Sequence, residues 1–228
     1  MDLFPLWNSL RISCISAIIV FFLGIASAYY IAKLPRIIKG IIDTIITIPL
    51  VLPPTVMGYI LLCFLGPDVA FGKWFYDLFE VELVMKWWSA IFAVVVVTFP
   101  LMYRTARGAF EGFDENLAWA GRTLGLSNTF IFWKIRMPYC KQGIIAGVVL
   151  SFARAIGEYG ATSMVAGYIP SKTATVSTEV YQLWKNGNNE LAIKWVIVNI
   201  LISAVVILVV NLVEHSNKAK GKNKNAIC

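Results

Sequence analysis

DENLAWAGRTLGLSNTFIFWKIRMP, residues Asp114–Pro138, is a polar island between two long apolar runs, Val84–Tyr103 and Tyr139–Gly167. Three more such runs lie further out, Ser9–Ala32, Ile38–Leu65 and Ala192–Val213. Several of the five approach or exceed the roughly 18 to 20 apolar residues that cross about 30 Å of hydrocarbon. Mean hydropathy is +0.71 and only 14% of the 228 residues are charged, so the chain reads as an integral membrane protein. Lipid cannot hydrogen-bond exposed backbone, and the runs are continuous and not alternating, so helices are the spanning form. The expected fold is all-α, a polytopic bundle of about five spanning helices. It forms one domain over 1–228, because no polar connector is long enough to hold a separate core.

Pro49, Pro53 and Pro54 in the second run remove backbone donors and predict a kink, whether for a transport pathway or for packing alone. Orientation follows from Lys and Arg near the ends of the runs. Connector 33–39, the stretch 104–141 and the basic tail 214–228 carry thirteen of them, whereas the opposite connectors together with Arg11 carry six. The N-terminus is therefore expected outside, with the C-terminus and segment 114–138 in the cytoplasm.

The net charge of +7 reflects this topology and does not point to nucleic acid, since the basic residues flank spans and form no aromatic-interleaved patch. The Lys-rich tail is expected to rest on anionic lipid or to be disordered. Ala26-Ser27-Ala28 resembles a signal cleavage site, but its apolar run is long and the positive charges follow it, so it is read as the first span. Cys14, Cys63, Cys140 and Cys228 lack metal-ligand or disulfide spacing and read as small apolar fillers. No GxxxxGK[ST] loop occurs, so ATP hydrolysis is not expected in this chain. The single histidine, His215, sits at the end of the last span in an interfacial position. No catalytic set, metal site or cofactor site is apparent, and the chain is not read as an enzyme.

Within the polar island, Asp114 can cap a helix whose first turn holds Glu115, favourable to its dipole. Phe113, Leu117, Ala120 and Leu124 recur at helical spacing, and Gly125 supplies a left-handed stop. Small residues Ala118, Ala120 and Gly121 suit close approach of another surface; a helix lying in the lipid interface is the alternative.

At these residues the sequence resembles the permease subunits of ATP-binding-cassette importers. Their cytoplasmic loop reads EAA, three residues, Gly, nine residues, then I-x-L-P. Here Trp119-Ala120-Gly121, Gly125 and Ile135-Arg136-Met137-Pro138 keep that spacing. Trp119 replaces the family's Glu, and Met137 replaces its Leu at nearly equal volume; Asp114 or Glu115 stands one turn upstream as a substitute acid. The resemblance implies a coupling helix at 114–126 that seats in a cytoplasmic ATPase, with Asp114, Glu115, Trp119, Ala120, Gly121, Leu124, Gly125, Leu126, Ile135 and Pro138 as coupling residues.

Two further stretches, Ile48–Gly66 with LPPTVMGYILLCFLG and Ser151–Tyr181 with ARAIGEYGAT, resemble the molybdate permeases of this family, a pattern shared with sulfate and thiosulfate permeases. The resemblance covers nearly the whole chain. It implies a homodimer with two ATPase subunits that bind ATP and Mg²⁺, an extracytoplasmic oxyanion-binding protein, and a prokaryotic plasma membrane. The segment Ile169–Asn189 is then the expected landing surface for the binding protein.

Arg154 and Glu158, four residues apart in an apolar span, are costly there and read either as lining an anion path or as a pair that pins packing. Ser151, Tyr159, Thr162 and Ser163 add hydroxyls, and Pro53, Pro54 and Thr55 are placed along the same path. A stand-alone secondary transporter would need inverted repeats, and none is visible. An intramembrane enzyme would need a nucleophile and base or metal ligands at membrane depth.

Overall fold

The computed structural model describes residues 2–225, with side chains through residue 208, and its secondary structure is entirely helical. Four helices are long and apolar enough to cross a membrane, and a bent helix pair brings the number to five if the pair counts as one span. In chain order they begin with α1 (Phe4–Ala32), which carries Pro5 in its first turn, where a missing N–H costs no helical bond.

The second run becomes α2 (Arg36–Val51) and α3 (Pro54–Leu65), turned through 112°. Leu52 and Pro53 each precede a proline, which drives them out of the helical region. Their ψ values of 143° and 137° show it. Two successive extended residues make a corner sharper than a kink, so α3 turns back across the bundle and does not prolong α2. Pro49, also expected to bend the run, is accommodated inside α2.

The short α4 (Ala70–Phe79) exposes Phe71, Trp74, Tyr76 and Phe79, the composition of a helix lying in a membrane interface. Next comes α5 (Ser89–Glu111), the centre of the bundle. Its Ala90, Ala93, Val94, Val97, Met102, Tyr103 and Ala106 are all buried. On one side it packs against α1, where Val20 and Ala28 join the cluster of Met102, Tyr103 and Ala106. On the other side stands α8 (Met137–Ile156), reached through α6 (Glu115–Thr123), α7 (Asn128–Ile131) and a π turn at Phe132–Arg136. A Cβ at Gly143 would lie 2.6 Å from the Cβ of Ala109, and one at Gly147 would lie 2.8 Å from the Met102 sulfur. Small residues bring the backbones together where lipid supplies no hydrophobic drive between helices.

The chain ends with α9 (Gly160–Val165), α10 (Val176–Lys185) and α11 (Asn189–Asn225). Every span departs from its expected bounds: the first starts at Phe4 and not Ser9, and the second at Arg36 and not Ile38. The third span starts at Ser89 and continues to Glu111, because Arg104, Arg107 and Glu111 end the hydropathy without ending the helix. The fourth starts at Asn128 and ends at Ile156, not at Gly167, since Gly157–Tyr159 break it before α9. The fifth begins at Asn189, and the backbone of the basic tail continues it to Asn225. Side chains of that tail, His215 and Cys228 lie outside the described residues. Of the other cysteines only Cys140 is a buried filler; Cys14 and Cys63 are exposed.

Candidate functional site

Asp114 caps α6 by accepting a hydrogen bond from the Asn116 amide at 3.0 Å, and the helix closes in a Schellman motif. Leu126 N–H donates to Gly121 C=O at 3.1 Å and Gly125 N–H to Arg122 C=O at 2.9 Å, with Gly125 at φ +76°. That φ disfavours any residue with a Cβ, although nothing lies within 4 Å of the position. Gly125→Ala is expected to cost about 1 kcal/mol through backbone strain alone, read as a lower thermal midpoint with no loss of packing contacts.

The face that α6 buries differs from the expected stripe. Phe113, Ala118 and Gly121 point into the bundle, where a Cβ on Gly121 would meet Ile131 at 3.2 Å and Ile135 at 3.4 Å. Leu117, Trp119, Ala120 and Leu124 point outward, Leu124 being 78% and Trp119 58% exposed. Gly121 and Ala118 therefore seat the helix on its own chain, while Trp119, Ala120 and Leu124 form the surface free to meet a partner. The reason is a shift of about one residue in phase: the two small residues let α6 approach Ile131 and Ile135 closely, and that contact rotates the larger apolar side chains away.

Both nearby acids are engaged within the chain. Arg136 Nη2 meets Glu115 Oε1 at 2.7 Å and Oε2 at 2.9 Å, and the Arg136 guanidinium covers the Phe113 ring at 4.3 Å. Arg136 is almost fully buried, so this clamp ties the start of α6 to the base of the fourth span. Asp114 remains exposed beyond its cap bond and the Glu115 side chain is 49% exposed, so each keeps accessible oxygen at the start of α6. Pro138 explains the π turn beside it: lacking an N–H and clashing with the carbonyl of Lys134, it breaks the α register. Met137 N–H instead reaches Phe132 C=O, five residues back.

At the far end of the bundle, the corner of α2 and α3 meets the break after α8. A Cβ on Gly160 would lie 2.9 Å from Pro54 Cβ and 2.9 Å from the Thr55 amide, and one on Gly58 would lie 2.9 Å from Ala161 Cα. Pro53, Pro54 and Thr55 thus come together with residues 157–163, a hundred positions away in sequence. Gly160→Ala is expected to destabilise by about 1 to 3 kcal/mol, since backbone atoms must move; a thermal midpoint equal to that of the parent protein would contradict this contact.

Arg154 and Glu158 do pair, Nη1 to Oε2 at 2.6 Å, but not along one helix. Ile156 is the last residue of α8, and Glu158 lies in the break, where its Oε1 accepts from the Ala161 amide at 2.8 Å. Glu158 is 2% exposed, and its Oε2 has no aligned hydrogen bond, whereas Arg154 keeps a third of its side chain accessible. Tyr159 is half-buried against the Tyr181 ring, and Ser163 donates to Gly160 C=O. Ser151 and Thr162 are buried: Ser151 donates to Thr98 C=O, and the Thr162 hydroxyl has no partner. They belong to the packing against α5 and α3, so of the expected lining Pro53 and Thr55 are exposed and Pro54, Arg154, Tyr159 and Ser163 partly so, while Ser151, Glu158 and Thr162 are buried.

On the segment after α9, Thr175 and Thr178 form a reciprocal capping box that starts α10. The Tyr168 hydroxyl donates to Glu179 Oε2 at 2.8 Å, and burial together with this carboxylate pushes its pKa up to about 12. It stays a donor at any physiological pH, so Ile169–Asn189 is a structured cap and not a loose loop.

A further cluster lies outside the expected site residues. Asp43 of α2 accepts from the Tyr103 hydroxyl and pairs with Arg107, while Lys39 meets Glu111 at 2.9 Å. No residue of α2 is fully buried, and these polar contacts join Ile46, packed on the cluster of Met102 and Tyr103, in holding it to α5. Asp43 is the only acid in the second run, and the cost of a carboxylate in an apolar helix was the signal available.

Residues 20–219 match the family described as binding-protein-dependent transport system inner membrane component, and the chain belongs to that family. It is thus an inner-membrane component of a transport system, built as a helical permease subunit. The molybdenum transport system permease protein ModB of Escherichia coli (strain K12) is 36% identical over 210 residues, covering 90% of this chain and 92% of the relative. The sulfate transport system permease protein CysW of Synechocystis sp. is 28% identical over 192 residues, covering 84% and 72%. A chain of a bacterial alginate ABC transporter, crystallised in complex with an alginate pentasaccharide-bound periplasmic protein, shares the fold with a TM-score of 0.74. It is 17% identical, over 92% of this chain and 76% of that one.

Proposed function

We propose that the chain is the transmembrane permease of an ATP-driven oxyanion importer whose substrate is molybdate. The observation that carries this reading is 36% identity sustained over nine tenths of a molybdenum permease. Sulfate is the second reading, favoured by the lower likeness to CysW. The working unit is two copies of this chain, two cytoplasmic ATPase subunits that bind ATP and Mg²⁺, and an extracytoplasmic binding protein. The N-terminus lies outside, with α6 and the C-terminus in the cytoplasm.

Importing a dianion against an inside-negative potential costs about 4.6 kcal/mol per 100 mV before any concentration gradient. A passive pore would run outward, so uptake needs a coupled energy source. The outward face of α6, centred on Trp119 and Leu124, seats in the ATPase. The Glu115–Arg136 clamp and the contacts of Gly121 carry its displacement into the base of the fourth span. At the opposite end Thr55, Arg154 and Tyr159 lie on a face of the single chain that a second copy would close into a path. Arg154, paired on one side with Glu158, keeps donors available for a passing dianion. Its charge is already half compensated, so binding stays weak enough for release.

Competition uptake by the reconstituted complex tests the substrate. Molybdate and tungstate are expected to displace labelled molybdate and sulfate is expected to fail. Preferential sulfate uptake would replace the assignment while leaving the permease architecture intact.

A further inference from the structure

A cavity of about 470 Å³ opens at the end of the bundle away from α6, between the first turns of α1, the approach to α5 and the segment after α9. Arg11, Lys86 and Lys172 line it, and no carboxylate does. The Arg11 guanidinium lies over the Trp87 ring, 3.2 Å from its centre, which fixes the charge in place. Among the described residues Arg11 and Lys172 have no ion-pair partner, and Lys86 reaches only Glu82 at 3.5 Å. One carboxylate stands beside the lining: Asp2 accepts from Phe4 N–H and from the Ser171 hydroxyl, both residues of the cavity wall. The path proposed through Thr55, Arg154 and Tyr159 uses none of these three cations; Lys172 lies in the segment expected to receive the binding protein, and Arg11 and Lys86 do not.

We infer that this cavity is a binding site for a tetrahedral oxyanion group, the phosphate of an outer-leaflet anionic phospholipid. Three cations in one lining, two of them without an ion-pair partner among the described residues, in a pocket of this size suit one phosphate with room for its glycerol. The level favours lipid over solvent: Arg11 sits two turns inside α1, with Trp7 exposed nearby and Trp88 beside it, as in the aromatic belts at headgroup depth. The free dianion has the same chemistry, and the test separates the two sources.

The whole complex is placed in phosphatidylcholine nanodiscs with a minor share of phosphatidylglycerol, and bound lipid is counted by native mass spectrometry. Phosphatidylglycerol is expected to be enriched on the parent complex. Enrichment should fall about fivefold for each charge removed, in Arg11→Gln and again in Lys86→Gln/Lys172→Gln. A parallel arm titrates inorganic phosphate and molybdate onto the complex in pure phosphatidylcholine by equilibrium dialysis. Arg11-dependent binding there, without phosphatidylglycerol enrichment, keeps the oxyanion site and assigns it to the free ion. Enrichment and anion binding both unchanged by the substitutions, in variants that keep the parental thermal midpoint and subunit composition, overturn the site. If Arg11→Gln alone loses that midpoint, the Lys86→Gln/Lys172→Gln pair decides between these outcomes, since both side chains are exposed.

Discussion

Glu158→Gln is expected to abolish uptake and to lower the yield of folded permease, because it leaves Arg154 without its counter-charge in an apolar region. The amide keeps the volume and an acceptor for the Ala161 amide, so the change isolates the charge. Breaking a buried pair by removing one partner costs about 3 to 5 kcal/mol. Arg154 is a third exposed, which puts Glu158→Gln near the lower end. Arg154→Gln should be the more damaging single change, since it strands a carboxylate that is 2% exposed. The double variant Arg154→Gln/Glu158→Gln removes both charges and is expected to recover assembly, measured as complex purified and its thermal midpoint. Uptake then decides the role. A pair that only pins packing regains transport together with assembly, whereas an anion-contacting Arg154 leaves the assembled complex inactive. Either single variant with parental uptake and parental yield would remove both roles.

The second large effect is expected at the outward face of α6. Leu124→Asp should release the ATPase subunits from the purified complex without lowering the stability of the permease itself. Leu124 is 78% exposed, so the folded chain loses little, but an apolar anchor at a partner groove is worth about 2 kcal/mol or more, roughly thirtyfold in affinity. A carboxylate in that groove adds a desolvation penalty. Gly121→Leu offers the contrast. Its side chain would enter Ile131 and Ile135, so permease stability and coupling should fall together. Co-purification of the ATPase and uptake are the readouts. Full retention of ATPase by Leu124→Asp would move the docking surface elsewhere. Trp119 occupies the position of the family's acid and is also exposed, so the outward face of this helix that is proposed to dock is apolar in character.

Much of the fold was legible because hydrocarbon imposes a simple rule. Any backbone that crosses it must satisfy its own hydrogen bonds, so long apolar runs declare helices and their number. The spacing of Trp119-Ala120-Gly121, Gly125 and Ile135–Pro138 located the helix proposed for coupling, and Asp114 and Gly125 marked its ends by local backbone chemistry that needs no tertiary contact. Pro49, Pro53 and Pro54 announced a kink in the second run, but not that Pro49 would be absorbed in α2 while Pro53 and Pro54 turn the chain through 112°.

What a sequence cannot supply is which side of a helix finds a neighbour. Periodicity put Leu117, Ala120 and Leu124 on one stripe but could not say that Gly121, by admitting Ile131 and Ile135, turns that stripe outward. The pairing of Asp43 with Tyr103 and Arg107, the clamp of Glu115 on Arg136, and the seating of Gly160 on Thr55 all join residues distant along the chain. Their geometry depends on how three helices pack at once. The helical character of the spans, the short capped helix of the polar island and the cost of Arg154 and Glu158 followed from the sequence by itself. Which faces are free, where the fourth span breaks, and that Glu158 ends up in that break holding α9 were decided only by the tertiary structure, because close packing between helices, not hydropathy along one, selects those contacts.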